Sequence, residues 1–294
     1  MANGFIVLDK PTGIGSNKAL GKIKRLFNQK KAGFIGTLDP LASGILPVAL
    51  GEATKLIHLL EGGTKIYEFT VQFGQATDTD DSQGKIIATS PTLPNLDNLQ
   101  NLLTKFTGVI TQTPPQYSAI KINGKKAYDI ARQGKQADIK QRQVNIFNIK
   151  LLNYAPPYGS FICECSKGTY IRSIARDMGQ LLNTYGHITV LRRIKSGIFN
   201  TSNKITLDEL EKTMYKPAPN ALNSVLVPME NVLDDIPDIQ IGKHEADKIR
   251  MGQFLSTDMD DVSSLALLCN NKLIALAKCQ NGLIKPTKVI NNNN

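Results

Sequence analysis

The sequence predicts an α+β protein with one large domain and a small C-terminal one. Three observations carry that prediction. Runs of period-two alternation, such as Lys65 to Phe73, are interleaved with runs of helical periodicity, such as Ile171 to Leu182. The chain has 294 residues, 41% of them hydrophobic, enough for a large core and a smaller second one. Beyond a proline-bounded stretch from Pro228 to Pro237, the pattern changes to short alternating segments around an Asn270-Asn271 turn.

Taken in order, Phe5 to Leu8 is a short strand that the Pro11-Thr12-Gly13-Ile14-Gly15 turn ends. Ser16 is placed to cap a helix in which Leu20, Ile23, Leu26 and Phe27 recur at helical spacing. The next glycine after Gly13-x-Gly15 is Gly21, the wrong spacing for a dinucleotide fingerprint. Thr54 to Leu60 is a short helix, and Lys65 to Phe73 is a strand with Tyr67, Phe69, Val71 and Phe73 on one face. Asp78, Asp80 and Asp81 resemble a calcium loop, but Gln83 and Thr89 stand where that loop needs Gly and Glu, so no metal is implied. Lys85 to Ala88 is the returning strand. Leu96, Leu99, Leu102, Leu103 and Phe106 give a core-facing helix.

Residues 113–142 turn polar and basic. Gln143 to Tyr154 and Ser160 to Ser166 read as a hairpin through Pro156-Pro157-Tyr158-Gly159. A helix follows from Ile171, with Tyr170 and Arg172 at its N-terminus, where the dipole favours anions. His187 to Lys195 is a strand. Thr206-Leu207-Asp208-Glu209 fits a capping box, opening a helix that ends before Lys216-Pro217.

The net charge of +10 is unevenly placed, with 26 basic and 13 acidic residues in positions 1–205. That part is expected to face a polyanion, since such a field speeds encounter with phosphate backbones. Seven basic residues and no acid lie from Lys10 to Leu38, readable as phosphate contacts or as an ordinary basic helix face. Cys163, Cys165, Cys269 and Cys279 form no Cys-x-x-Cys pair, so neither a zinc site nor a disulfide framework is signalled and a reduced compartment fits. No signal peptide and no long apolar run is found, so the cytoplasm is expected and membrane association is not.

The segment Gly36-Thr37-Leu38-Asp39-Pro40-Leu41-Ala42-Ser43-Gly44-Ile45-Leu46-Pro47 organises the chain. Two glycines and two prolines specify backbone shape around one carboxylate, Asp39. An Asp-Pro pair alone is more simply a helix start. The longer pattern points elsewhere: Gly33, the Gly36 block and Leu50-Gly51-Glu52-Ala53-Thr54-Lys55 are followed by further blocks in order. These are Tyr67, Gly74-x-x-Thr77-Asp78-Thr79-Asp80, Tyr117-Ser118-Ala119, Cys165-Ser166-Lys167-Gly168-Thr169-Tyr170-Ile171-Arg172 and Leu191-Arg192-Arg193, with Leu8-Asp9-Lys10-Pro11 ahead of them. Together they resemble the TruB-type tRNA pseudouridine synthases over roughly the first two hundred residues.

The resemblance implies a catalytic domain over residues 1–230, built on a mixed, mainly antiparallel sheet flanked by helices. It implies a thumb insertion over 113–142 that closes on the tRNA T-arm and a small PUA-like β-barrel at 238–290; composition alone reads 231–237 as a linker and the low-complexity 291–294 as a disordered tail. The implied activity is isomerisation of uridine 55 in the T-loop, without cofactor or metal, by a monomer needing no protein partner. Asp39 is then the nucleophile on a flipped-out uridine, Arg172 its bidentate ion-pair partner, and Tyr170 an assistant to proton removal from C5. Tyr67 and Leu191 are implied to line the uracil pocket, with Lys10 and Phe34 also contacting substrate. RNA contacts are implied for Lys22, Arg25, Lys121, Lys125, Lys126, Arg132, Arg192 and Arg193. Three roles stay open for the carboxylate: attack at C1′, addition at C6, or removal of the C2′ proton. Phe34 stands where most relatives carry histidine; it keeps a π-face but not the imidazole's hydrogen bonds. Two other readings stay open, a non-catalytic tRNA-binding or RNA-folding protein and a guide-dependent synthase acting on ribosomal RNA.

Overall fold

The computed structural model describes residues 2–214, 223–233 and 236–291. In chain order, β1 (Gly4–Lys10) leads to α1 (Ser16–Leu26), β2 (Ala32–Phe34) and β3 (Ser43–Leu50). A short 3-10 turn and α2 (Ile57–Leu60) precede β4 (Lys65–Phe73) and the small β5 (Gln75–Thr77) and β6 (Ile86–Thr89) hairpin. Next come α3 (Leu96–Leu103) and β7 (Gly108–Gln112). The basic excursion holds β8 (Lys121–Ile122), β9 (Lys125–Lys126) and α4 (Ala127–Arg132). The long β10 (Arg142–Ala155) and β11 (Tyr158–Cys165) form the expected hairpin, followed by α5 (Ile171–Leu181), β12 (Gly186–Ser196) and α6 (Leu207–Met214). The C-terminal unit contains β13 (Asp238–Gln240), α7 (Lys243–Arg250), β14 (Leu255–Ser256), β15 (Val262–Cys269), β16 (Lys272–Gln280) and β17 (Leu283–Val289).

The main sheet runs β1-β3-β12-β4-β11-β10-β7, with β2 on the side of β3. Its neighbours are antiparallel except β12 on β3, which run parallel at Arg192–Ser43 and Arg193–Gly44. That short parallel pairing brings the Asp39 loop beside β12. Strands β1 and β3 are apolar almost without interruption because both faces are covered. Ile6, Leu8, Leu46 and Val48 enter the main core under α1 and α5. Phe5, Val7, Ile45 and Ala49 alternate to the opposite side and pack with Leu273, Leu276 and Ile290 of the C-terminal unit.

The C-terminal strands form the expected small barrel-like sheet, a curled half-barrel in the order β13-β15-β16-β17-β14. The second core changes one expectation. The stretch read as a linker is core in part, since Met229 and Val232 are buried between the two sheets. The capping box is present: Glu209 N–H reaches Thr206 Oγ1, and Glu209 Oε2 accepts from Thr206 N–H. The helix end expected before Lys216-Pro217 and residues 292–294 of the tail lie outside the described residues. No helix among the described residues is long and apolar enough to cross a membrane.

Candidate active site

Asp39 lies in the loop between β2 and β3, and that loop is held from three sides. Ser16 Oγ accepts from Leu38 N–H at 2.8 Å and donates to Leu38 C=O at 2.9 Å. Ser16 was expected to cap α1, but Gly15 holds that position and the serine side chain is spent on the residue before Asp39. On the other side, Gly13 N–H donates to Pro40 C=O at 2.8 Å and Ala42 N–H to Asp39 C=O at 3.1 Å. Beneath the loop lies Arg193, whose Nε donates to Ile45 C=O at 2.7 Å and Nη2 to Gly36 C=O at 2.8 Å. Gly36 and Gly44 have φ of +69° and +101°, and a Cβ on Gly44 would meet the Arg193 carbonyl oxygen at 2.2 Å.

Arg172 comes from the first turn of α5, and its Nε lies 2.9 Å from Asp39 Oδ2. Nη1 donates to Thr79 C=O at 2.8 Å and Nη2 to Tyr117 C=O at 2.9 Å. Asp81 Oδ2 stands 3.7 Å behind it. The contact differs from the bidentate fork expected: the Nη groups are committed to backbone carbonyls, and only Nε faces Asp39. The Nε–H is not aligned along that approach, so the contact is an ion pair by distance and not a directed hydrogen bond. The Arg172 side chain is 4% exposed and that of Asp39 34%, so the cation is fixed while the carboxylate is open to a ligand.

Asp39 separates two cavities. The first, about 510 Å³, is lined by Asp39, Tyr67, Tyr170, Arg172 and Leu191, together with Lys65, Arg142 and Arg193. Leu191 pairs with Phe69 across β12 and β4, and Arg193 with Tyr67, which puts Tyr67 on the cavity wall. Burial pushes the Tyr67 phenol up, opposed by the nearby Arg193 guanidinium. The second cavity, about 560 Å³, lies between Gly15 to Asn17, the 79–83 turn and the basic excursion, with Lys126, Tyr128 and Arg132 on its wall. Lys126 and Arg132 both sit over the Tyr128 ring, at 5.2 and 5.3 Å from its centroid. Lys121 and Lys125 of the same excursion are exposed, as is Arg25 on α1, while Lys22 is half-buried.

Four expected contact residues are placed differently. Arg193 is 1% exposed and holds the Asp39 loop, so it does not reach outward to RNA. Arg192 is engaged bidentately by Asp9, at 3.0 and 2.8 Å, with Lys204 sharing that carboxylate. Lys10 is fully buried, its ammonium donating to Pro11 C=O and Ile14 C=O at 2.8 and 2.7 Å, and it lines neither cavity. Burial brings its pKa down to about 8, opposed by the attraction of Asp39. Phe34 lies half-buried on β2 against the main core, outside both cavities.

No sequence signal pointed to Ser16 in the loop, to Lys65, whose buried ammonium is held by Glu61 C=O and Gly63 C=O, or to Gln112 and Arg142 as parts of the site. Only the motif blocks hinted at the Thr79 and Tyr117 carbonyls, because backbone acceptors leave no residue-type signal. Among the described residues, no group of His, Cys, Asp or Glu side chains is arranged to hold a metal ion.

Residues 24–171 match the family described as TruB family pseudouridylate synthase, N-terminal domain, and residues 172–234 match the tRNA pseudouridylate synthase B C-terminal domain. The chain belongs to the TruB family. It is 44% identical to tRNA pseudouridine synthase B of Rhodopseudomonas palustris over 296 residues, covering 98% of this chain and 81% of that one. It is 42% identical to the protein of the same name from Mesorhizobium japonicum, with 98% and 95% covered. Among solved structures, this TruB-family chain superimposes on a Cbf5-Nop10-Gar1 complex with a TM-score of 0.75 at 25% identity, covering 98% of this chain and 85% of that one. An H/ACA RNP bound to a substrate RNA gives a TM-score of 0.76 at 23% identity, with 99% and 86% covered, a likeness of fold.

Proposed function

We propose that the chain isomerises uridine to pseudouridine in tRNA, at position 55 of the T-loop, with Asp39 as the catalytic carboxylate. The observation that carries this reading is a solvent-reachable carboxylate beside a buried, immobilised guanidinium, in a cavity walled by Tyr67, Tyr170 and Leu191. The reaction breaks the C1′–N1 bond, turns the base and joins C1′ to C5; the C5 proton leaves and N1 takes up a proton, so substrate and product are isomers. A base in the first cavity must first leave its stack, and aromatic and apolar walls compensate for the lost stacking. Arg172 sets a fixed positive charge beside Asp39 and orients it, as each of the three carboxylate roles requires. Tyr170 stands on the same wall as an assistant in moving the C5 proton.

The second cavity, with Lys126 and Arg132 over Tyr128, suits the RNA strand flanking the extruded nucleotide, and the exposed Lys121, Lys125 and Arg25 extend that basic surface. We read the protein as a cytoplasmic monomer that needs no protein partner. The test is to incubate the purified protein alone with a full tRNA transcript and map pseudouridine by carbodiimide modification and primer extension. A single modification at position 55 is expected. Conversion only after a guide RNA is added would favour the ribosomal reading, and binding without conversion the RNA-binding one.

A further inference from the structure

The two ends of the basic excursion meet at one residue pair. β7 and β10 are antiparallel, and their last rung before the chain leaves and returns is Gln112 opposite Arg142. Both residues grip Tyr170. The fully buried Gln112 accepts from Tyr170 N–H at 2.8 Å through Oε1 and donates to Tyr170 C=O at 3.0 Å through Nε2. Arg142 lays its guanidinium over the Tyr170 ring, 4.7 Å from the centroid, and donates to Gly168 C=O just before it. Its Nε is buried without a hydrogen-bond partner, so the ring and that carbonyl locate the group. Immediately inside the excursion, Thr113 C=O accepts from Ser173 Oγ and Arg176 Nη2, both at 2.8 Å, and Tyr117 C=O accepts from Arg172.

The excursion itself packs as a small unit, with Ala127, Ala137 and Ile139 buried against Ile120, Ile122 and Ile130. A body with its own small core, joined to the sheet at that rung and to α5 through the Thr113 and Tyr117 carbonyls, moves as a unit more readily than it deforms. We propose that Gln112 and Arg142 are positioning residues that make the placement of Tyr170 in the Asp39 cavity depend on how the 113–141 excursion is seated on RNA. Gln112 fixes the backbone of Tyr170, and Arg142 fixes its ring. When the excursion closes on RNA, the rung carries that movement to the tyrosine and to the first turn of α5. The inference rests on the role given above to Tyr170.

The test uses the full-length protein, with single-turnover tritium release at saturating T-arm RNA measured beside RNA affinity, for Gln112→Glu, Arg142→Lys, Tyr170→Phe and Arg142→Lys combined with Tyr170→Phe. Gln112→Glu keeps an acceptor for Tyr170 N–H but loses the donor, and the half-exposed Arg142→Lys keeps the charge but loses the planar stack. Each is expected to slow the saturated rate by about tenfold or more while affinity stays within about threefold. The combined variant is expected to be no slower than the slower of its two parents, because a displaced tyrosine has no contribution left to lose. Wild-type saturated rates in Gln112→Glu and Arg142→Lys beside a slowed Tyr170→Phe would overturn the inference alone, as would strictly multiplicative effects in the combined variant. A wild-type rate in Tyr170→Phe would overturn the role given to Tyr170, and the inference with it.

Discussion

Arg172 serves Asp39 through the one nitrogen that its backbone partners leave over. Lysine in its place would leave Thr79 C=O and Tyr117 C=O short of donors and put a mobile point charge where a fixed plane stood. Arg172→Lys is expected to lower the single-turnover rate by about a hundredfold or more, with T-arm RNA affinity within about threefold. A rate within a few-fold of wild type would show that the ion pair is not needed. Lys10 gives a pH dependence of definite sign. Its folded-state pKa is about 8 against an ordinary 10.5, so between those values the unfolded chain holds the proton that the folded one has lost. Stability from this group therefore rises with pH across that window. The melting temperature of wild type relative to Lys10→Met is expected to climb between pH 8 and 10, and a flat difference would contradict the burial argument. At this scale, the sequence located Asp39 and Arg172 through the motif blocks alone. It could not show that Arg193 is buried under the loop or that Arg192 pairs with Asp9, because a basic pair on a strand carries no sign of its partners, and Asp9 and the Gly36 carbonyl are remote in the chain.

Among the elements, the Asp39 loop depends on one close backbone approach and one serine. Gly44→Ala would place a Cβ against the Arg193 carbonyl at a φ of +101°, forcing β3 and β12 apart at their parallel rung. It is expected to cost several kcal/mol, read as a large drop in urea midpoint or loss of soluble protein. Ser16→Ala leaves Leu38 N–H and C=O without their partner, costing about 1–3 kcal/mol by the same measurement and slowing catalysis more than it weakens RNA binding. No change in either quantity would mean that the loop is held elsewhere. Strand and helix placement was readable because periodicity is local: the β4 face, the β10–β11 hairpin and α5 all follow from it. The parallel rung was not, since a register between remote strands is set by which backbones can touch.

The molecule as a whole is closed by a carboxylate that the motif blocks contained without explaining. Glu52 meets Lys31 at 2.5 Å and Lys55 at 2.7 Å, and accepts Asn291 N–H at 2.8 Å. Lys55 also donates to Val289 C=O and Lys288 to Lys55 C=O, so the end of β17 is fastened to the turn after β3. Burial works against the charge on Glu52, but hydrogen bonds from Lys31, Lys55 and Asn291 outweigh it and bring the pKa down to about 2. With its folded pKa depressed, Glu52 contributes stability above about pH 4.5 that is lost as pH falls toward 2. Glu52→Gln is expected to lower the melting temperature by a few degrees at pH 7, with the gap closing toward pH 3; a constant gap would assign the effect to packing. The separate C-terminal sheet was legible from the change of pattern near Asp238. Its union with the catalytic sheet was not, because the alternate faces of β1 and β3 look alike until something covers both.

The measurement that bears most directly on the central claim is tritium release from C5-labelled uridine in a T-arm RNA, comparing wild type with Asp39→Asn. Asparagine keeps the size and most of the packing of the side chain but removes the anion that Arg172 holds. Release by wild type, with none above background from an Asp39→Asn protein that still binds the RNA, is the predicted result. Release from both proteins at comparable rates would contradict the assignment of the catalytic carboxylate.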